Sequence, residues 1–369
     1  MTFHLTEPIL LIGIGGVGAR LAEKAKKSLN SDCLIISHDQ KDLINQNSIK
    51  ISTKSIVNPS THLIRGSALE TSEEIKENIS NYSTIVLMSN LAGKAGAGIG
   101  PIVSRICKQE QKNLLSFAIM PFKFEKERIF QSGIALKRIR QDSECCIIID
   151  NDALLDSNPD LTQKQCYDIS NNAIESVMHS LKSSEISEDT NILSTCKTVD
   201  DIQVSLKDSL RMLYEDAPPN SIKRSMLYVY GGSNIPVGVL NSISNITDGI
   251  FDENSTYVEM SSEKSKVVML SSIQGETRFD KYDPLGIISL ENTIDYDEPE
   301  CSINCELDLK QLEWIFQSCD FVLDFFFTTL SFCWKNSGAS SCDLAAGFGA
   351  GLAAGFGAGL AAGFGAGLA

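Results

Sequence analysis

Two glycine-rich stretches carry the first chemistry that this sequence offers. GIGGVG, residues 13–18, follows the apolar run PILLI and opens a helical pattern. Such a turn gathers backbone N–H groups and the positive end of a helix dipole at one point, which suits a phosphate. Its spacing also fits the dinucleotide-binding fingerprint, with Asp39 lying 21 residues past the last glycine, where the acidic partner of a ribose would stand. The turn alone does not separate NAD from ATP or GTP. A second stretch narrows the choice: after STIVLMSN comes LAGKAGAGIGP, with glycines at 93, 96, 98 and 100 before another helix. Two such loops at one edge of a parallel sheet would grip a triphosphate from two sides, whereas a dinucleotide-binding domain usually has one. The same glycines also serve a structural end, letting a helix approach a strand closely.

Other chemistry is thinner. The histidines at 4, 38, 62 and 179 are scattered, and no nearby acidic partner marks one as a general base. Eleven cysteines show no CxxC pair, and Cys145-Cys146 and Cys301-x3-Cys305 have no histidine close by, which reads as buried thiols rather than a metal site. The formal net charge of -15, with no basic run to offset it, argues against nucleic acid as a partner. No signal peptide is recognised at the start, so a cytoplasmic location is expected.

The elements that must position the two loops follow a βαβα rhythm over residues 8–149. Strands are expected at Ile9–Ile14, Leu34–Ser37, Thr84–Ser89, Leu114–Met120 and Cys145–Ile149, with helices at 16–29, 67–80, 100–112 and 126–141. A long helix follows at about 163–183, where Ile169, Ala173, Ile174, Val177, Met178 and Leu181 form one apolar stripe. The polar segment KSSEISEDTN then interrupts the pattern, a further helix runs from about 200 to 214, and EDAPPNS breaks the chain. Beyond it SMLYVYGG, STYVEM and KVVMLSSI read as strands, with a helix near 236–247. The fold class is therefore α/β: a Rossmann-like parallel-sheet nucleotide-binding domain, a long central helix, and a second, smaller α/β domain.

The expected division is 1–160 for the nucleotide-binding domain, 161–215 for the central helix and catalytic-loop region, and 216–310 for the C-terminal α/β domain. Residues 311–343 form an apolar C-terminal element, in which FVLDFFFTTLSFCW is interrupted by Asp324 and is short for a bilayer span. Residues 344–369 are a repeat tail, AAGFGAGL three times over, with too little side-chain bulk for a core.

Beside these readings the chain resembles a known family, the tubulin/FtsZ group of polymerising GTPases. The resemblance rests on GIGGVGAR, LIISHDQKDL, AGKAGAGIGP, SFAIMPFKFEKERIFQSGIALKRI and SECCIIIDNDALL, and later on RSMLYVYGGSNIPVGVLNSISNIT. It covers about residues 8–275 and is most specific over 114–155. It implies GTP or GDP as the ligand, with Mg as a companion ion, held by Gly15, Gly16, Val17, Gly18, Ala19 and Arg20 in the first loop. In the second it implies Lys94, Ala95, Gly96, Ala97 and Gly98, where Ala95 and Ala97 replace two threonines and Lys94 replaces a glycine. Glu125 and Arg128 match ribose and phosphate contacts, Tyr167 a base-stacking ring, and Asn172 the position of a guanine-reading aspartate.

For hydrolysis the family sends two acidic side chains into the next subunit's site. Here KTVDDIQVSL supplies Asp200 for the first and Gln203 for the second, and glutamine orients water without removing its proton. The resemblance thus implies a head-to-tail homopolymer in cell division or cell shape, weak turnover, and a membrane-tethering adaptor as a further partner. A non-hydrolysing scaffold of the same fold is the second reading. An NAD-dependent oxidoreductase is the third, and it leaves the second loop and PFKFE without a role.

Overall fold

The computed structural model describes residues 2–43, 47–54, 58–181, 186–197, 201–231, 235–251, 253–259 and 266–282. Its strands are β1 (Thr2–Phe3), β2 (Ile9–Ile14), β3 (Asp32–Ser37), β4 (Ser48–Lys50), β5 (Thr84–Asn90), β6 (Asn113–Met120) and β7 (Cys145–Asp150), then β8 (Ile186–Ser187), β9 (Asp189–Thr195), β10 (Ile222–Tyr230), β11 (Glu253–Val258) and β12 (Lys266–Ile273). The helices are α1 (Gly15–Leu29), α2 (Thr61–Glu70), α3 (Ser72–Ile79), α4 (Lys94–Gln109), α5 (Lys126–Asp142), α6 (Leu154–Ser157), α7 (Gln163–Ser180), α8 (Ile202–Asp216) and α9 (Val237–Asp248).

A 10-stranded sheet in the order β11-β10-β12-β9-β7-β6-β5-β2-β3-β4 organises the described residues. From β4 to β9 every neighbouring pair is parallel, and β12 then runs antiparallel to both β9 and β10. The central strands read as unbroken apolar runs because both faces are covered. Along β2, Leu11 points to the side of α1 and α7, while Leu10 and Ile12 point to the side of α2, α3 and α4. This alternation splits the core into layers above and below one sheet.

Three expectations are corrected. The helix expected at 67–80 is two helices, broken at Thr71, whose hydroxyl donates to the Ser67 carbonyl at 2.8 Å. The helix expected at 100–112 starts at Lys94, so most of the second glycine stretch is helix rather than loop. Pro101 therefore sits inside α4 and cannot donate to the Ala97 carbonyl; Arg65 of α2 does so instead, with Nη2 at 3.1 Å. Finally, the polar segment taken as an interruption contains β8 and the start of β9. Strand β9 lies between β7 and β12, so polar residues such as Thr190 and Asn191 are buried and find partners within the fold. Asn191, for example, donates to the Ser187 carbonyl at 3.0 Å.

The sheet thus runs continuously from the first glycine stretch into the region after residue 216. All described residues fall in one compact unit, Met1–Thr293. The apolar element 311–343 and the repeat tail 344–369 lie outside the described residues. Among the described residues no helix is long and apolar enough to cross a membrane.

Candidate functional site

Helices α1 and α4 begin at the C-terminal ends of β2 and β5, which are adjacent parallel strands. Their first turns touch: the Ala95 methyl lies 3.1 Å from where a side chain on Gly15 would begin. Gly15 has φ +64°, a conformation that glycine adopts without strain. Neither helix start carries a side-chain cap, since Ile14 and Gly93 occupy the cap positions. Each therefore turns up to about four unpaired N–H groups and a positive dipole end toward the same spot.

The glycines divide by job. Gly18 lets α1 settle on the Met88 carbonyl of β5, and Gly96 lets α4 settle on the Asn90 carbonyl, each at a distance that excludes a Cβ. The close-approach reading of these two glycines is thus realised. Val17 is half-buried and Ala19 is buried in the core below α1. Ala97 is buried, and Gly98 packs against Thr61 and Ile64 of α2. Lys94 does not point a free charge into the cradle, because its Nζ donates to Asn58 Oδ1 at 2.7 Å and to the Pro59 carbonyl at 3.1 Å.

Of the two nearby aspartates, Asp42 rather than Asp39 lies against the first glycine turn. Asp39 caps the short turn after β3, accepting from the Lys41 amide at 3.0 Å. Asp42 instead lies against Gly16, its Oδ1 2.6 Å from a would-be Cβ there, and accepts from the Ser37 hydroxyl at 2.7 Å. His38 joins this corner. Burial pushes its imidazole below the usual histidine range, Asp39 and Asp42 pull it back up, and Lys94 adds to the fall. The polar run SHDQKD was the signal for this corner, but strand phase alone could not choose between Asp39 and Asp42.

The N-terminal half of α7 supplies an aromatic wall. Thr162 and Gln165 close its start as a reciprocal capping box. Tyr167 meets Phe122 edge-on at 5.5 Å between ring centroids, and Phe122 stacks on the exposed Phe124 at 5.3 Å. Burial and the Glu125 charge push the Tyr167 phenol up, while the Gln163 and Asn90 side chains oppose the shift. Asn90 ends β5, so Tyr167 faces the strand that feeds α4.

The family model described as "Tubulin/FtsZ family, GTPase domain" matches residues 60–159. Over that stretch the chain is similar to the tubulin/FtsZ family. Cell division protein FtsZ 2 of Halobacterium salinarum is 25% identical over 173 residues, covering 44% of this chain and 43% of that protein. The chain thus spans less than half the length of that curated relative. Among solved structures, an empty FtsZ dimer of M. jannaschii superposes with TM-score 0.60 at 16% identity, covering 75% of this chain and 92% of the other. A GTPγS-bound CetZ2 protofilament of Haloferax volcanii gives TM-score 0.53 at 14% identity, covering 74% and 96%.

Not every residue that the family resemblance singles out gathers where the first turns of α1 and α4 meet. Arg20 is exposed, with Nη1 3.8 Å from the same point on Gly16 that Asp42 approaches. Glu125 and Arg128 pair with each other at 2.6 Å, and Glu125 also accepts from the Phe122 amide at 3.2 Å. Asn172 lies on another face of α7 from Tyr167. It lines a cleft of about 240 Å³ with Asp168, Ile169, Thr195 and Lys266. Asn171, one helical turn after Tyr167, shares that ring's face, and its buried Oδ1 has no hydrogen-bond partner among the described residues. Gln203 is exposed on α8, which packs on β9 and β12. Asp201 caps α8 by accepting from the Gln203 amide at 2.9 Å. Asp200 lies outside the described residues.

Proposed function

We propose that this chain binds a guanine nucleotide across the starts of α1 and α4 and assembles head to tail with copies of itself, with weak hydrolysis. The observation that carries the reading is the pair of uncapped helix starts in contact at Gly15 and Ala95. Two helix N-termini side by side suit a chain of phosphates better than either does alone. In this reading Gly15, Gly16, Val17 and Gly18 offer amides to one part of the phosphate chain, and Ala95, Gly96, Ala97 and Gly98 to another. Tyr167 gives a face for the base, and Asn171 is the amide beside it. Among the described residues no three His, Cys, Asp or Glu side chains converge to hold a metal.

Weak turnover follows from the donor set. Ala95 and Ala97 offer no hydroxyl, Gln203 is no base, and Asp201 is engaged as a helix cap. These substitutions favour the scaffold of the same fold as a second reading, separated from the first by GTP turnover. The FtsZ dimer and the CetZ2 protofilament support self-association as the use of this fold. A filament in cell division or cell shape, tethered through an adaptor, is the corresponding cellular role.

Thermal midpoints with GTP, GDP, ATP and NAD test the ligand, since a ligand of the native state raises the midpoint. GTP and GDP are expected to raise it and NAD to leave it unchanged; the reverse overturns the reading. Sedimentation of the full chain and of a chain lacking residues 344–369, each with GTP, tests assembly. Pelleting of both supports assembly through the fold, and pelleting only with the tail refutes it.

A further inference from the structure

The first turn of α1 already has an anion beside it. Asp42 leans on Gly16 so closely that any larger residue at position 16 would collide with its carboxylate. The buried Ser37 hydroxyl holds the other oxygen at 2.7 Å. Ile14, at the cap position of α1, supplies no side-chain acceptor, so Asp42 is the nearby negative charge that the positive helix end attracts. A phosphate drawn to the same amides meets a like charge held in place by Ser37. Arg20 flanks the same point from the next turn and offers a cation that Asp42 and a phosphate would share.

We propose that Asp42 is a resident rival of the phosphate chain, and that its charge sets how tightly this site holds polyphosphate. The inference rests on the nucleotide reading above for its biological meaning, but it is a statement about phosphate alone. Like charges a few ångströms apart near a protein surface repel strongly enough to change affinity about tenfold, less at high salt.

The test is calorimetric titration of inorganic pyrophosphate, and separately GDP, into the full chain with EDTA present. Wild type is compared with Asp42→Asn and Asp42→Ser, and with Glu73→Gln on the exposed side of α3 as a charge-matched control. Both Asp42 variants are expected to bind pyrophosphate about tenfold tighter, with the gap closing as salt rises, and Glu73→Gln to bind as wild type does. Equal or weaker binding by the Asp42 variants overturns the proposal, as does absence of pyrophosphate binding throughout. Tighter pyrophosphate binding with no further gain from the guanosine of GDP upholds the Asp42 inference and refutes the guanine reading.

Discussion

Replacing Arg278 with methionine should destabilise the fold in a way that depends on pH. Arg278 lies in the turn after β12 and pairs through Nη2 with Asp150, the last residue of β7. The same nitrogen is 3.3 Å from Asp216 Oδ1, and Nη1 is 2.8 Å from Glu215 Oε1. The Asp150 and Asp216 side chains are both 0% exposed, and the guanidinium is the cation in contact with both, with Lys123 as a second positive charge acting on Asp216. Removing one partner of such a buried set costs about 3–5 kcal/mol, because the remaining carboxylates stay buried without compensation. Asp216 is already pushed well above the usual carboxylate range, first by burial and then by the Glu215 charge. A carboxyl whose folded pKa is raised contributes stability below its unfolded pKa and loses it as pH rises through the folded value. Without Arg278, Asp216 shifts further upward. The deficit should therefore be close to the full 3–5 kcal/mol range at pH 8 and fall to about half or less at pH 5. Urea unfolding of wild type and Arg278→Met at pH 5, 6, 7 and 8 measures this directly. A loss below about 1 kcal/mol at pH 8, or one that is flat across the series, refutes the assignment of Arg278 as the compensating charge.

Three further outcomes are expected. Arg65→Ala should cost about 1–3 kcal/mol by leaving the Ala97 carbonyl unpaired, and the cost should shrink in a Pro101→Ala background, where residue 101 regains its amide; an additive double-mutant cycle would disprove the substitution of Arg65 for the missing N–H. Gly96→Ala should destabilise by about 1–3 kcal/mol or more, because the new methyl meets the Asn90 carbonyl, and an unchanged denaturation midpoint would show that α4 does not rest on that carbonyl. Asn171→Asp should raise the preference for GDP over ADP severalfold in competition binding, since a carboxylate accepts from both the ring N–H and the amino group of guanine, whereas Asn172→Asp should leave the ratio unchanged; the opposite ranking would return the base-reading role to Asn172.

How much of this was legible depended on what each residue type must do wherever it sits. Strands β2, β5, β6 and β7 could be read because burial on both faces demands unbroken apolar runs. Strand β9 could not, because its buried Asn191 finds partners only after β7 and β8 are in place, and no local pattern announces that. The second glycine stretch was legible as a site of close approach or phosphate binding, but not as helix, since glycine is a poor helix former and packing on Asn90 fixes it there. The site shows the same limit most sharply on α7. The family resemblance directed attention to both Tyr167 and Asn172. A one-residue step along a helix rotates a side chain by about 100°, so matching two sequences to within one residue leaves the facing side chain undetermined. What decides between the two asparagines is the phase fixed by the buried stripe, which sends Asn172 to the cleft with Thr195 and Lys266 and keeps Asn171 on the face of Tyr167. Which asparagine faces Tyr167 is therefore set by helix rotation, fixed by Ala173, Ile174 and Val177 in the core.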